Sequence, residues 1–506
     1  MQPSRNLPEF PGSSDAEPMF RWGADDVPPQ VTAAEWLAQK GQPLNMRCGG
    51  RGLCRGCEIQ VEGEPRKACQ CKARELAGAD IRIPRASRQD RSITGVSAFD
   101  IDTHLLRERC RAPRRGLALD IGTTTLAAAL WSGPEPRCLG TLSQANPQIG
   151  LGDNVVSRIQ YSVSAEGGDR RLHRVLVEEG IAPLVKQLCG DDAPDAVVIA
   201  GNPAMLHSVA GETLAGLASF PFRPVFLERR EVDPALLGFP AGTTVLLLPS
   251  LGPFVGADIS AGAVACGMME EETPSLLIDF GTNGEILLRS SAGIFATATA
   301  AGPAFEGGRL TCGARAGEGV VSGFRAGLDG TGMVAVGGAE GKLGAVHGIS
   351  GAAYVDFLAL GRRSGLLGEN GRFQAGAGSS VEPVPGVRVT EMDVAELLQA
   401  KAAVQAGWTT LLEVAGVEMS ELRRVWIAGG FGYHLNPEHA MAVGLIPRID
   451  PAKIRLVGNS SLGGASLALI DPDVLEKMEQ LRAQTTLVEL NAIASFEDHY
   501  IDALGL

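Results

Sequence analysis

The 506-residue chain has no run of 18 or more apolar residues, because charges, glycines and prolines interrupt every candidate. A helical membrane span is therefore not expected. Residues 1–18 are rich in Pro, Ser and acid, with neither a basic start nor an apolar stretch, so no targeting segment is visible and a cytoplasmic location is expected. Positive charge is short as well. The net charge is −13, which argues against nucleic acid or an anionic membrane as the main partner. Aromatic residues make up 5%, too few for broad stacking platforms. No Walker loop and no G-x-G-x-x-G fingerprint occurs. Glycine, by contrast, is abundant: 65 residues, against a usual share of ~7%, and without a three-residue period. That composition implies many tight turns and close backbone approaches. Hydrophobic content of 45% excludes wholesale disorder, and the length suggests about three domains.

Of ten cysteines, five fall between positions 48 and 71. Cys48-x5-Cys54-x2-Cys57 is followed by Cys69 and Cys71, with glycines at 49, 50, 52 and 56 between the first three. A reducing compartment leaves little room for a disulfide framework, so the cluster points to metal or redox chemistry. Glycine lets backbone N–H groups approach inorganic sulfurs, which suits a [2Fe–2S] cluster on Cys48, Cys54, Cys57 and Cys69. Cys71 stands as a substitute for Cys69, and a four-thiolate zinc site stays open as an alternative. The other cysteines (110, 138, 189, 266 and 312) read as small buried hydrophobes.

The chain divides as a tail over 1–18, a small domain over 19–86, a linker over 87–113 and an α/β region over 114–506. In the small domain Thr32 and Glu35 form a capping box, and Glu58–Val61 and Ile81–Ile83 read as strands. Six arginines lie in or beside the linker, which reads as a solvated tether or a docking surface for an acidic redox partner. From Arg115 the chain alternates strands and helices. It also repeats itself: the run Leu117–Asp120, then Ile-Gly-Thr-Thr, matches Leu276–Asp279, then Phe-Gly-Thr-Asn. Two halves opening near 115 and 276 imply a duplicated fold with a cleft between lobes.

The turn Gly122-Thr123-Thr124-Thr125 between two apolar segments can point N–H groups and hydroxyls at a phosphate chain. Gly281-Thr282-Asn283 offers the same from the second half. Asp120 and Asp279 beside these turns can hold Mg²⁺-bound water. Glu285 is a base candidate against a reading as a solvated edge charge, and Glu306 a cleft candidate against a turn cap. In Val425-Trp-Ile-Ala-Gly429-Gly430-Phe431 a buried strand runs into two glycines, against which a flat base could lie. The histidines show no metal spacing apart from His434 and His439, where the intervening Pro437 breaks a helical reading, and Asp102-Thr-His104-Leu-Leu-Arg107 ends in Arg where a corrinoid-ligand motif needs Gly.

These three elements together resemble the phosphate and adenosine motifs of the acetate–sugar kinase, chaperone and actin superfamily, and the cysteine loop resembles β-grasp ferredoxins. Their combination resembles the reductive activators of corrinoid enzymes. The likeness includes Asn146-Pro-Gln-Ile, Asp153–Ile159, Gly201–His207, Val255–Asp258, Ala301–Gly308 and Gly458–Gly463. It implies a β-grasp [2Fe–2S] domain followed by a duplicated, ribonuclease-H-like, two-lobed ATPase domain. It further implies ATP and Mg²⁺ as cofactors and one-electron reduction of cob(II)alamin to cob(I)alamin. The implied partners are a corrinoid protein or methyltransferase, an electron-donating reductase and a second copy of the chain. One departure stands out: only about 25 residues lie where such activators can carry a further domain. Three other readings stay open: a small-molecule kinase with a redox sensor, an activator of another low-potential enzyme, and a nucleotide-switched scaffold.

Overall fold

The computed structural model describes residues 19–40, 42, 44, 57–84, 112–271, 273–317, 319–326, 333–337, 346–374 and 378–506. Cys48, Cys54, Cys110 and nearly all of the linker lie outside them. The chain divides into two compact units, Met1–Gln89 and Asp90–Leu506.

The first unit contains β1 (Met19–Phe20), α1 (Ala33–Gln39), β2 (Glu58–Val61), β3 (Glu64–Lys67) and β4 (Ile81–Arg82). The sheet order is β1-β4-β2-β3, and every neighbouring pair is antiparallel. The predicted capping box forms: the Thr32 N–H donates to the Glu35 carboxylate at 2.8 Å, and the Glu35 N–H donates to the Thr32 hydroxyl at 3.2 Å. Trp36 and Leu37 of α1 bury in one cluster with Ile59 of β2, Ile81 of β4 and Ile83 just beyond it.

The second unit repeats one layout twice. Its first lobe comprises β5 (Arg115–Ile121), β6 (Thr125–Ser132), β7 (Arg137–Ala145), α2 (Val155–Ser164), α3 (Gly168–Val175), α4 (Ala182–Cys189), β8 (Ala196–Gly201), α5 (Pro203–Ala210), β9 (Arg230–Val232), β10 (Thr244–Leu247) and α6 (Ala257–Ala265). The sheet order is β7-β6-β5-β8-β10-β9. The β5–β6–β7 meander is antiparallel, whereas β8 joins β5 in parallel. The near-continuous apolar runs of β5, β6 and β8 reflect burial on both faces.

The second lobe opens with β11 (Ser275–Phe280), β12 (Gly284–Ser290) and β13 (Gly293–Thr299). It continues through β14 (Val320–Ala326), β15 (Met333–Gly337), β16 (Gly348–Ile349), α7 (Gly351–Ser364), β17 (Ser380–Val384), β18 (Val387–Thr390) and α8 (Glu391–Ala415). It ends with β19 (Arg424–Ala428), α9 (Pro437–Ala442), β20 (Ile454–Gly458), α10 (Ser460–Ile470), α11 (Asp473–Gln484), β21 (Thr485–Leu487) and α12 (Phe496–Asp502). The sheet order β20-β19-β11-β12-β13-β21 reproduces the first lobe: an antiparallel meander with parallel strands added beside its first member.

Two helices tie the lobes together. Leu462, Ala465 and Leu467 of α10 belong to the first lobe's core, whereas Ile259 and Ala263 of α6 pack with Leu277, Leu287 and Trp426 of the second. A Cβ at Gly464 would lie 2.2 Å from the Ala261 carbonyl oxygen, so the crossing is close enough to require glycine there. Among the described residues, no helix is long and apolar enough to cross a membrane.

The scattered cysteines differ from expectation. Cys189 is buried and Cys266 and Cys312 are half-buried, but Cys138 is exposed, because it lies near the start of the outer strand β7.

Candidate functional site: an inter-lobe phosphate cleft

A cleft lies between the two lobes. Gly122, Thr123, Thr124 and Thr125 line it from the first lobe; Gly281, Thr282 and Asn283 line it from the second. Gly429, Gly430 and Phe431 line it as well, as do Asp120, Asp279 and Glu285. Thirteen residues singled out across more than 300 positions of sequence therefore meet in one place.

The turns have matching construction. After β5, the Gly122 N–H donates to the Thr125 carbonyl at 2.9 Å; after β11, the Gly281 N–H donates to the Asn283 carbonyl at 3.1 Å. Each closes a strand–turn–strand unit that leaves the intervening hydroxyls facing the cleft. A Cβ at Gly122 would meet the Thr125 oxygen at 2.6 Å, so only glycine permits that closure. The turns also meet each other. The Thr124 and Thr282 hydroxyl oxygens lie 2.6 Å apart, and each hydroxyl donates to the Glu306 carboxylate at 3.0 Å.

Segments distant in sequence hold the first turn. The Asn146 amide donates to the Gly122 carbonyl at 2.8 Å, and that of Asn202 donates to the Thr123 hydroxyl at 2.9 Å. Arg158 is fully buried; its guanidinium donates to the Thr123 carbonyl, and to Gly152 and Gln148 at 3.0 Å each. Burial lowers its pKa to about 9, against the favourable field of Asp153, so the guanidinium remains charged at neutral pH.

Carboxylates crowd the floor of the cleft. Asp120 at the end of β5 accepts from the Asn459 amide and the Ser461 hydroxyl, both at 2.8 Å. Asp279 pairs across the hairpin with Glu285, whereas Asp120 faces Ala127 at the equivalent register, so the second lobe carries an extra acid. Glu285 is only 4% exposed, which overturns its reading as a solvated edge charge: β12 is an interior strand of its sheet. Asp258, in the first turn of α6, completes the group. Burial raises the carboxyls of Asp120, Asp279 and Glu285 above the ordinary range, and Asp258 adds to this for the latter two. Burial and the charge of Asp120 push Asp258 up to about 7. Among the described residues no three His, Cys, Asp or Glu side chains converge at metal-ligand distance, so these acids ring the cleft instead of forming a direct cage. That spread suits a hydrated Mg²⁺, which keeps several of its waters and is shared with phosphate oxygens.

Gly429 sits at φ +90°, and a Cβ there would lie 2.5 Å from the Phe280 carbonyl oxygen. The two-glycine step leaves a bare backbone wall, beside which Phe431 stacks on Phe305 with 5.0 Å between ring centres.

Sequence reasoning missed Asn202, Arg315, His434, Asn459 and Ser461 as cleft residues, left Asp258 unassigned, and held Glu306 as a cleft candidate against a turn cap; the cleft contains Glu306. Asn202, Asn459, Ser461, Asp258 and Glu306 lie in the quoted family-like segments, which was the available signal. Arg315 and His434 carried none.

In the first unit, the β2–β3 hairpin pairs Glu58 with Lys67 and brings the Cys57 and Cys69 sulfurs to 3.2 Å, buried together. A disulfide would need about 2.05 Å. Cys71 is half-buried, and burial raises its thiol above the ordinary value.

Comparison with known proteins agrees with the duplicated fold. Residues 115–271 match the model described as RACo middle region, and residues 273–506 match the C-terminal domain of RACo, the ASKHA domain. The corrinoid activation enzyme RamQ of Eubacterium limosum is 27% identical over 94% of this chain and 96% of its own. A [Co(II) methylated amine-specific corrinoid protein] reductase of Methanosarcina barkeri is 24% identical over 77% of this chain and 76% of its own. A solved reductive activator for a corrinoid, iron–sulfur protein superposes with TM-score 0.71 at 24% identity, covering 95% of this chain and 96% of that one, which shows a shared fold. With residues 115–271 and 273–506 both matched by RACo models, well over half of its length, the chain belongs to the RACo family of corrinoid reductive activators and carries an ASKHA domain.

Proposed function

We propose that this chain uses ATP to return a protein-bound corrinoid from cob(II) to cob(I). One electron passes to the cobalt of a separate corrinoid protein, and a reductase replaces it. In this reading residues 19–86 form a ferredoxin-like domain and residues 114–506 an ATPase domain. Bound to Cys48, Cys54, Cys57 and Cys69, a [2Fe–2S] cluster would supply electrons singly. The buried Cys57–Cys69 sulfur pair, 3.2 Å apart and not joined as a disulfide, supports that ligand set over one containing Cys71.

The observation that carries the ATP assignment is the meeting of the duplicated turns at Thr124 and Thr282 beside the Gly429–Gly430 wall. Turn N–H groups and hydroxyls from both lobes would hold the phosphates, and the bare glycine backbone with Phe431 would take the adenine. Mg²⁺ would neutralise phosphate charge, its waters held by Asp120, Asp258, Asp279 and Glu285. Because each lobe supplies one turn, bound nucleotide favours the closed arrangement, and loss of the terminal phosphate releases it. That gives the ATPase unit two states with which to drive an electron transfer that is uphill for ordinary donors.

Calorimetric titration of the full chain with Mg·ATP tests the assignment. We expect saturable binding that Asp279→Ala weakens at least tenfold; a chain that binds no nucleotide overturns it.

A further inference from the structure

The carboxylates of the cleft set a charge problem that the reading above leaves unsolved. A triphosphate must enter a space lined by four raised-pKa acids and by Glu306, with a single divalent ion to offset them. Among the described residues lining the cleft, the basic side chains are Arg315 and His434. Burial lowers the pKa of His434 below its ordinary value, so it is largely neutral at pH 7. Arg315 is the permanent cation.

Its backbone is held firmly. The chain from Gly307 to Ala314 doubles back so tightly that a Cβ at Gly307 would lie 2.6 Å from the Ala314 nitrogen, and one at Gly348 would lie 2.5 Å from the Ala314 Cβ. The Ala314 N–H donates to the Ile349 carbonyl at 2.9 Å, and the Ile349 N–H returns a bond to Cys312 at 2.8 Å. Arg315 as a whole is half-buried, burial lowers the pKa of its guanidinium, and among the described residues no hydrogen bond or ion pair holds that group. Its electrostatic counterpart is Glu306. That acid is the one pinned by the Thr124 and Thr282 hydroxyls, so Arg315 stands at the phosphate end of the cleft. A firmly held backbone, a head with no hydrogen bond or ion pair among the described residues, and a position beside the phosphate turns suit a charge-stabilising cation.

We propose that Arg315 is a catalytic residue of ATP hydrolysis, which turns from Glu306 to the terminal phosphoryl oxygens when nucleotide enters. The inference rests on the ATPase reading. In the step, a water oxygen bonds to the γ-phosphorus while the bond from that phosphorus to the bridging oxygen breaks, and the bond pair stays on ADP. One water proton remains on the phosphate, and the other passes through a cleft carboxylate to solvent. Arg315 offsets the negative charge that gathers on the bridging and terminal oxygens. Its interaction is strongest in the transition state, so its loss should lower kcat more than affinity.

The test compares the full-length chain with Arg315→Ala and Arg315→Lys. Steady-state hydrolysis is measured alongside calorimetric affinities for Mg·ADP and for Mg·ADP with aluminium fluoride, a mimic of the transferring phosphoryl group. The account predicts a fall in kcat of about 10³-fold for Arg315→Ala, partial recovery in Arg315→Lys, and Mg·ADP affinity within about threefold of the parent. Aluminium fluoride should tighten ADP binding in the parent and not in Arg315→Ala. Unchanged thermal melting shows that the variants are folded; if Arg315→Ala does not fold, Arg315→Lys and Arg315→Gln carry the same comparison. Hydrolysis and aluminium fluoride trapping at parental levels in a folded variant would overturn the role of Arg315 alone. Absence of nucleotide binding and hydrolysis in the parent would overturn the ATPase reading and this inference with it.

Discussion

The Thr124 and Thr282 hydroxyl oxygens lie 2.6 Å apart although 158 residues separate them, and Glu306 accepts from both at 3.0 Å. Two hydroxyl hydrogens thus serve three oxygen–oxygen contacts, and the network is one donor short. A phosphate chain can replace the carboxylate as acceptor without leaving either hydroxyl unpaired.

Removing a hydroxyl should therefore weaken nucleotide binding. A hydrogen bond to a charged acceptor contributes ~1.5–3 kcal/mol, so Thr124→Val and Thr282→Val should each raise the Kd for Mg·ATP about tenfold or more. Glu306→Gln should lower it, because a negative charge facing the phosphates is removed. Calorimetry on the three variants checks both directions; equal affinities would contradict the phosphate assignment of the turns.

The acid cluster makes ligand-free stability fall as pH rises. Asp258 titrates near 7 in the folded protein against 3.8 ordinarily, and Asp279 and Glu285 shift the same way. The folded state then binds more protons than the unfolded one between about pH 4 and 7. The cluster's contribution is full below that window and lost as pH passes through 7. Melting curves from pH 5.5 to 8 should show a shallower decline in Asp258→Asn than in the parent. Mg·ATP should also reduce the decline, and parallel profiles would argue against the cluster.

The lobe crossing is sensitive to size. With 2.2 Å between a Cβ at Gly464 and the Ala261 carbonyl, Gly464→Ala must push α10 from α6. Overpacking of this kind costs ~1–3 kcal/mol, so the melting temperature should drop by several degrees. Because the two helices link the lobes, nucleotide-dependent protection from hydrogen exchange at the cleft should drop too. Unaltered melting and exchange would show that the crossing tolerates separation.

Local features were legible in the sequence, and long-range ones were not. The two turns could be read because a strand, a glycine turn and a second strand lie within about ten residues of each other. The Thr32–Glu35 capping box was readable for the same reason. Glu285 misled: a carboxylate opening a strand reads as exposed until the sheet order shows that β12 lies between β11 and β13. Asn459 and Ser461 reach Asp120 across 339 and 341 positions. No periodicity can signal such a contact. Arg315 gains its meaning from the chain reversal at Gly307, which only the folded path reveals.

Spectroscopy distinguishes among the proposed cysteine ligands. After anaerobic reconstitution with iron and sulfide, Cys57→Ser and Cys69→Ser should lose the visible absorption and the reduced-state paramagnetic signal of a [2Fe–2S] cluster, while Cys71→Ser should keep both. Loss in Cys71→Ser with retention in Cys69→Ser would reverse the assignment. Stoichiometric zinc in place of iron would point to a structural site instead.

The most direct measurement is the visible spectrum of the reduced, iron-loaded chain mixed anaerobically with a cob(II)-bearing corrinoid protein, with and without Mg·ATP. The account predicts that the cob(I) band grows only with Mg·ATP and is lost in both Cys54→Ser and Asp279→Ala. A reducible cluster whose reaction with cobalt is indifferent to ATP would contradict it.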